Sequence, residues 1–381
     1  MSAAKSGWCL TSADYLPVQE RCRLKKWKPG TIVFPKSGES IRTNARARLA
    51  VEMVVVSHLA CINAWRFIDA NYLFWFLNVT DFETRILQTA LPALGLGTIG
   101  ATEILVPETA EQRSIAAWLD TQTNRIDKRR ELLGKKRELL RDLKKSVTEE
   151  ATFRGITRDM EMRDSGIDWL GQVPAHWTTM RLGSLFREAA DAGVDGLPML
   201  SVSLHTGITD KELDDEEMER KVSRSEDRTL YKRVKPGDLV YNQMRAWQGA
   251  FGAAKIEGLV SPAYVVARPG KAVVPRFVEY LLRAPAAMEE IRRRSRGITD
   301  FRLRLYWDEF KNIRIALPPM REQEEIATFL DRKLSQIDRQ IVLIDQLDDL
   351  LKQQRKAIIH EAVTGKIDLS NYQPPAPAMA A

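Results

Sequence analysis

The chain has 381 residues, 44% of them hydrophobic, which is enough for two or three domains that each bury a core and excludes a mainly disordered protein. Its 58 Lys and Arg exceed its 51 Asp and Glu, and the net charge of +7 is consistent with a polyanionic partner. No stretch approaches the ~20 consecutive apolar residues that a membrane helix requires.

All three cysteines, Cys9, Cys22 and Cys61, lie near the start of the chain. Their odd number and the absence of CxxC spacing argue against a disulfide framework and a zinc site, so we expect small hydrophobic residues in a reducing compartment. The opening MSAAKSGWCL lacks the charged and then apolar order of a signal peptide. These features predict a cytoplasmic protein.

The first predicted domain covers residues 1–106. Its string KPGTIVFPKSG and the apolar residues at 51–62 read as short strands separated by Pro-Gly and Gly turns. The segment FIDANYLFWFLNVTDFETRILQT follows with helical spacing. We therefore predict a globular module of mixed α and β structure, called module one.

A long helix is predicted within residues 107–155. Residues 111–151 contain no proline and a single glycine, Gly134. At ~1.5 Å per residue this helix would be ~60 Å long. Between 125 and 145, ten basic residues face four acidic ones; such a run is usually a solvated surface but could also meet an acidic partner or a phosphate backbone. Apolar residues recur every seven positions, which predicts a coiled-coil seam: Leu119, Ile126, Leu133, Leu140 and Val147.

After a predicted linker at 156–162, a second globular domain, module two, is expected at 163–317. Apolar residues at 239–241, 250–254 and 264–267, separated by glycine turns, predict strands. The segment VVPRFVEYLLRAPAAMEEIRRRSRG follows with helical spacing, so module two is also mixed α and β. The two modules share the order of their elements.

Module two also holds the side chains that suit DNA. Asn and Gln pair with adenine and Arg with guanine, while Arg and Lys hold phosphates. By base rates Trp247 is more typical of a core, an arginine run is as often a solvated helix face, and the acidic residues at 210–219 must face away from DNA. The candidate DNA-binding residues are Asn242, Gln243, Arg245, Trp247, Arg292, Arg293, Arg296, Arg302 and Arg304 in module two, and Lys36, Arg42 and Asn44 in module one.

A second long helix is predicted within 318–368, followed by a disordered tail at 369–381. Its start, LPPMREQEEIATFLDRKLSQID, repeats VPETAEQRSIAAWLDTQTNRID of the first helix at an offset of 211, and the KPG of module one recurs at an offset of 207. The whole unit is therefore duplicated. The heptad positions recur as well: Leu330, Ile337, Ile344, Leu351 and Ile358.

The fold predicted from this repeat is mixed α/β, with two globular domains joined by two long helices that form an antiparallel coiled coil. Modules tens of ångströms apart could then address one DNA duplex at two sites, since a helical turn of DNA measures ~34 to 36 Å. The alternative for a heptad run is a generic dimerisation coil.

The two copies are unequal. Module two begins near Arg163 with RDSGIDWLGQVPAHWTTMRLGSLF and reaches its KPG about 70 residues later, whereas module one reaches KPG at Lys28. Two explanations stay open, a shortened first module or a fragment of a longer chain.

Together these motifs resemble the specificity subunit of type I restriction and modification systems, over nearly the whole chain except the missing start. The resemblance rests on the entry SGIDWLGQVPAHW, the two exits LPPMREQEEIATFLD and VPETAEQRSIAAWLD, the terminal KAIIHEAVTGKID, and NQMRAWQGAFG with SPAYVV. It implies two target-recognition domains that read a bipartite DNA sequence. It also implies docking of adenine methyltransferase and restriction subunits, which would carry S-adenosylmethionine, ATP and magnesium.

No catalytic residues and no metal ligands are predicted in this chain. It has no GxxxxGK[ST] phosphate loop and no NPPY-like motif, and His58, His176, His205 and His360 lack metal-ligand spacing. Three rival functions remain: a structural coiled-coil scaffold, a nuclease that uses the acidic cluster near Asp214, and a partly defective or orphan subunit that reads one half-site.

Overall fold

The computed structural model describes residues 4–5, 8–9, 25–43, 45–82, 85–86, 92–204, 207–209, 228–297 and 303–373. The chain divides into two compact units, residues 1–137 with 342–381 (unit 1) and residues 138–341 (unit 2). Each of the two long helices begins in one unit and ends in the other.

Unit 1 contains module one. A five-stranded sheet has the order β1-β2-β5-β4-β7, and β3 pairs with β6. A 3-10 helix at Glu39–Thr43 follows β4. The strands are β1 Ala4–Lys5, β2 Trp8–Cys9, β3 Lys26–Trp27, β4 Ile32–Pro35, β5 Ala47–Leu49, β6 Met53–Val54 and β7 Leu59–Ile62, and the helices are α1 Ala70–Val79 and α2 Leu96–Gly100.

The first long helix, α3, runs from Thr109 to Arg154, and the second, α8, from Met320 to Val363, so both lie within the predicted ranges 107–155 and 318–368. Unit 2 lies between them in sequence and contains the strands β8 Met162–Asp164, β9 Gln172–Pro174, β10 Thr178–Arg181, β11 Phe186–Ala189, β12 Ser201–Ser203, β13 Gly207–Thr209, β14 Lys232–Val234, β15 Leu239–Asn242, β16 Phe251–Ala253, β17 Gly258–Val260, β18 Tyr264–Pro269 and β19 Arg314–Leu317. Its short helices are α4 Leu182–Leu185, α5 Pro275–Leu282, α6 Pro285–Arg294 and α7 Trp307–Phe310, with 3-10 turns at Arg228–Leu230 and Ala246–Gln248.

The helical segment predicted after β18 forms two helices. Proline has no N–H to donate and fits best in the first turn of a helix, so Pro285 ends α5 and begins α6. The three predicted strands of module two are confirmed as β15, β16 and β18.

The two modules share a central three-stranded core. In module one β4 lies between β5 and β7, and in module two β15 lies between β16 and β18, with every pairing antiparallel. Ile32 faces Ile62 as Leu239 faces Ala267. The added strands differ, because β2 extends the sheet beside β5 in module one, whereas β11 extends it beside β18 in module two.

A buried glutamine fixes each module to its long helix. The Gln112 carbonyl oxygen accepts a hydrogen bond from Asp69 N, the residue that caps α1, at 2.7 Å, and its amide donates to the carbonyls of Phe67 and Pro107. Gln323 repeats this pattern with Val274 N, which precedes α5, and with the carbonyls of Ala272 and Pro318. Each glutamine satisfies an N–H at a helix start that would otherwise lack a partner.

An aspartate about two turns further along each long helix repeats as well. In unit 1, Asp120 accepts hydrogen bonds from Arg48 and from the Trp75 indole, both at 3.1 Å. In unit 2, Asp331 accepts from Arg276 and from the Tyr280 hydroxyl, both at 2.6 Å. Partial burial opposes ionisation of Asp331, but these two donors outweigh it and lower the pKa of that carboxyl.

The long helices pair antiparallel within each unit. In unit 1, Arg130 pairs with Asp348 at 2.7 Å and Arg137 pairs with Asp345 at 2.9 Å. A later residue of α3 thus pairs with an earlier residue of α8, as expected for antiparallel helices. In unit 2 Lys144 pairs with Asp338 at 2.6 Å. Seven of the ten predicted heptad positions are buried, namely Leu119, Ile126 and Leu140 on α3 and Leu330, Ile337, Ile344 and Leu351 on α8, while Leu133, Val147 and Ile358 are half-buried.

The tail predicted from residue 369 begins too early. Leu369 is buried in the core of unit 1 with Val363 and Ile359, and Tyr372 packs against the same cluster. Apolar side chains after the end of α8 therefore contribute to this core. None of the helices in the described part of the chain is long and apolar enough to cross a membrane.

Candidate nucleic-acid interface

The end of β15 and the loop after it, residues 242–249, carry four of the predicted DNA-binding residues. The Asn242 side-chain oxygen accepts from Met244 N, and the Trp247 indole donates to the Met244 carbonyl at 3.1 Å. Arg245 Nε donates to the side-chain oxygen of Gln248 at 3.0 Å. These bonds give the loop a defined shape and leave Met244 and Gln248 exposed on it.

Backbone hydrogen bonds hold the start of this loop from two sides. Gln243 N donates to the Ala263 carbonyl, and the Gln243 carbonyl accepts from Leu305 N at 2.9 Å. Leu305 is buried and follows Arg304, so the segment that bears Arg304 is fixed beside the loop.

The predicted arginines reach the same surface from α6 and from the residues after it. The Arg292 guanidinium lies 5.9 Å from the centre of the Trp247 ring, which is within the range of a cation–π contact. Arg296 and Arg304 face each other in an antiparallel bridge, with N···O distances of 3.0 Å in both directions. Three separate stretches of sequence therefore converge on one exposed, basic patch.

Carboxylates within the module orient part of this patch. Glu290 pairs with Arg294 at 2.5 Å and Arg293 at 3.7 Å, and Glu309 pairs with Arg296. The hydrogen bond and the charge of Glu309 raise the pKa of Arg296. The Arg293 and Arg296 side chains remain 58% and 66% exposed, so both guanidinium groups are accessible to a phosphate.

The predicted residues of module two thus have distinct positions. Gln243, Arg245, Trp247, Arg292, Arg296 and Arg304 come together, and Arg293 lies on the same helical turn as Arg292. Trp247 is half-buried, and its indole braces the loop through the bond to the Met244 carbonyl. Arg302 and the acidic residues at 210–219 lie outside the described residues.

Module one has the same loop frame with other side chains. Lys36 N donates to the His58 carbonyl and the Lys36 carbonyl accepts from Leu94 N, as Gln243 does with Ala263 and Leu305. A 3-10 helix follows in both loops. Arg42 is exposed and lies 3.3 Å from Glu39, while Asn44 lies outside the described residues.

Sequence reasoning missed Gln248, which contacts Arg245 directly. The signal was the three-residue spacing between them in a turn that ends at Gly249, since residues three apart face the same side of a 3-10 turn. No group of three or more His, Cys, Asp or Glu with metal-binding geometry occurs among the described residues.

No family model matches the chain. It is 30% identical over 111 residues to the Type I restriction enzyme EcoKI specificity subunit of Escherichia coli K12, a match that covers 29% of this chain and only 24% of the relative. It is 23% identical over 325 residues to the Type I restriction enzyme MjaVIII specificity subunit of Methanocaldococcus jannaschii, which covers 80% of this chain and 72% of the relative.

Two solved structures share the fold. One comes from work on complex assembly and conformational transition of the type I R-M system and aligns with a TM-score of 0.67 and 19% identity, covering 90% of this chain and 84% of that one. The HsdS subunit from Thermoanaerobacter tengcongensis aligns with a TM-score of 0.50 and 19% identity, covering 90% and 82%. The predicted resemblance to type I specificity subunits is confirmed, both by the curated relatives and by the fold.

Proposed function

We propose that this chain, as a relative of the type I specificity subunits, is the DNA-recognition subunit of a type I restriction and modification complex and reads a bipartite target. The observation that carries the proposal is the convergence of the half-buried Gln243 and Arg245 with the exposed Arg292 and Arg304 on one patch of module two. Planar side chains that reach base edges, surrounded by arginines that hold phosphates, are the combination that sequence-specific DNA binding requires.

Within this patch the loop reads bases and the arginines beside it hold the backbone. The Arg245 side chain is held by its hydrogen bond to Gln248, and both residues belong to the same turn. A guanidinium fixed in this way suits bidentate pairing with guanine O6 and N7. Arg292, Arg293, Arg296 and Arg304 would contact phosphates and set the register of the module on the duplex.

Module one would read the second half of the target through its equivalent loop. Lys36 and Arg42 are its described candidates, and both belong to the frame that module two repeats. Two readers on one chain favour a bipartite sequence over the single half-site of an orphan subunit.

The paired long helices would provide the docking surface for the methyltransferase subunits. In unit 1, α8 exposes leucines at three- and four-residue spacing, Leu343, Leu347 and Leu350, with 63%, 45% and 60% of each accessible. Apolar residues at this spacing form one helix face that another helix can cover. Restriction subunits would join the same complex.

Catalysis would belong to those partners. S-adenosylmethionine would be bound by the methyltransferase subunits, and ATP and magnesium by the restriction subunits, so we propose that this chain is non-catalytic. The proposed complex acts on DNA in the cytoplasm.

The test is to co-express the chain with the methyltransferase subunit of its own host and map methylated adenines across a genome. We expect a bipartite motif with a fixed spacer, and Arg245→Gln should change or relax bases in only one half. Lys271→Gln removes an exposed charge elsewhere in unit 2 and should leave the motif intact. Methylation without sequence preference, or a complex that does not form, would reject the proposal and favour a structural scaffold.

A further inference from the structure

The outer edge of module one's sheet, beside β7, carries none of the predicted DNA-binding residues. We define the β7 edge as the backbone of residues 61–63 together with the side chains of Trp65 and Phe67. Within the described part of the chain, β7 is the last strand of its sheet and pairs with β4 alone. Trp65 and Phe67 follow it and are 73% and 72% exposed.

The internal repeat shows what covers the same edge in module two. There β18 pairs with β15 on one side and with β11 on the other, and β11 is antiparallel to it. Because Ile62 faces Ile32 as Ala267 faces Leu239, residues 61, 62 and 63 occupy the positions of 266, 267 and 268. Those three residues pair with Ala189, Glu188 and Arg187 of β11.

An uncovered edge presents backbone N–H and C=O groups without partners, which makes it a template for another strand. Exposed aromatic side chains beside such an edge add apolar area, and aromatic residues contribute a large share of the energy at protein interfaces. Backbone groups that face away from β4 and two exposed aromatic side chains therefore lie together at the β7 edge.

A difference between the modules indicates where an added strand must end. Gly270 N donates to the Leu185 carbonyl at 2.7 Å, and a Cβ on Gly270 would lie only 3.3 Å from that oxygen. Trp65 occupies the position of Gly270 in module one. A strand on β7 would therefore pair alongside residues 61–63 and then meet the Trp65 and Phe67 rings instead of continuing past them.

We propose that the β7 edge accepts an extended strand from a second polypeptide, antiparallel to β7 and patterned like β11. In β11 the two end residues, Phe186 and Ala189, are buried and the two middle ones are exposed. The incoming strand would supply a small side chain opposite Cys61 and polar residues in the middle, while its backbone pairs with β7. The partner thus carries a segment of the same kind as residues 182–189 of module two. This inference does not depend on the DNA-recognition proposal.

Cys61 allows a positional test on the full-length chain. In a Cys9→Ser, Cys22→Ser background, Cys61 is the only thiol. A synthetic peptide of residues 182–192 with Ala189→Cys should place its thiol directly opposite Cys61, whereas the same peptide with Glu188→Cys should place it opposite Ile62, on the other face of the sheet. In a glutathione redox buffer we expect at least a tenfold excess of the mixed disulfide with the first peptide, measured by intact mass.

A second measurement uses the chain without substitutions. Fluorescence anisotropy of a labelled 182–192 peptide should report binding, and a scrambled peptide should not bind. Phe67→Ala should weaken binding roughly fivefold or more, as expected for an aromatic anchor. Leu96→Ala, which truncates a side chain of similar exposure elsewhere in unit 1, should leave it unchanged.

Equal disulfide yields from the two peptides would overturn the proposed register, and with it the strand pairing. Failure of the peptide to bind, combined with slow hydrogen exchange at residues 61–63, would mean that the edge is already covered and would overturn the proposal. Failure of the peptide to bind, combined with fast hydrogen exchange at residues 61–63, would show that the edge is exposed but does not accept such a strand. That result would also overturn the proposal.

Discussion

The loops after β4 and β15 have the same backbone anchors and almost no side chains in common. Lys36 and Gln243 each donate to one carbonyl and accept from a leucine N–H on the opposite side, and a 3-10 helix follows both. Yet one loop has Lys36 and Ser37 where the other has Gln243 and Met244. The comparison teaches that the frame is fixed by backbone bonds, which leaves the side chains on it free to vary.

The joint between module and helix is the opposite case, because there the side chains themselves repeat. Gln112 and Gln323 make the same three hydrogen bonds, and Asp120 and Asp331 each accept from one arginine and one aromatic donor. The joint keeps its geometry through particular side chains, so the residue types at these positions are constrained. The side chains of a reading loop can differ, because backbone bonds hold the loop.

The largest effect is expected from removing that joint. Gln112→Leu and Gln323→Leu each leave one N–H and two carbonyls without their partner at a buried position, so each should lower the free energy of unfolding by about 2 to 4 kcal/mol. Urea denaturation measures the loss, and hydrogen exchange at Asp69 or Val274 locates it.

The exposed Gln340 on α8 supplies a matched control, and Gln340→Leu should change the free energy of unfolding by less than about 0.5 kcal/mol. If only one of the two buried glutamines matters, the joints are not equivalent and the structural repeat at this level is superficial.

The next largest effect concerns the reading loops. Arg245→Ala should cost about 1 to 3 kcal/mol on the preferred sequence and relax the base preference at one position, because a guanine contact is lost. Arg42→Ala in module one should act on the other half of the target. Competition binding of the methyltransferase complex to a library of target variants measures both.

Uniform weakening on every sequence would reassign Arg245 from base reading to the phosphate backbone. Lys271→Ala controls for loss of a charge in unit 2 and should change neither affinity nor preference.

The sequence was sufficient for the repeat, the long helices and the heptad seam, because each depends on regular spacing. It was also sufficient for the strands around Leu239, Phe251 and Tyr264, where apolar runs end at glycine turns. It did not identify Trp247 as a brace on a surface loop, since that role depends on one bond to the Met244 carbonyl.

Nor did composition separate free arginines from restrained ones, because Glu309 lies 13 positions from Arg296 and meets it only through folding. The burial of Leu369 was not predicted for the same reason, since Leu369 packs against Val363 and residues of module one. Contacts between distant parts of the chain carry no local pattern.

A smaller effect should distinguish the two arginines of the 296–304 bridge. Arg304→Ala should weaken binding to all sequences alike and reduce the slope of log affinity against log salt by about 1, as expected for one phosphate contact. Arg296 is already paired with Glu309, so Arg296→Ala should reduce the slope less. DNA-binding titrations at salt concentrations of roughly 50 to 300 mM, where phosphate contacts strongly affect affinity, measure both slopes.

An unequal effect on different sequences would contradict the assignment of Arg304 to the backbone. An Arg296 effect as large as that of Arg304 would show that DNA displaces Glu309 at little cost.

The smallest effect concerns the helix pair of unit 1. Arg130 and then Lys352 bond to Asp348 and lower its pKa to about 2, below the ~3.9 of an unfolded aspartate. A carboxyl with a depressed pKa in the folded state stabilises the fold above pH ~4, and this contribution disappears as the pH falls from about 4 towards 2.

Asp348→Asn should therefore lower the free energy of unfolding by under about 1 kcal/mol at pH 7 and leave it unchanged near pH 2. Asp349→Asn removes a neighbouring acid that contacts Lys352 from an exposed position, and we expect a flatter response. Unfolding free energies measured across this pH range compare the two, and equal responses would mean that the Arg130–Asp348 pair contributes no specific pH-dependent stability to unit 1.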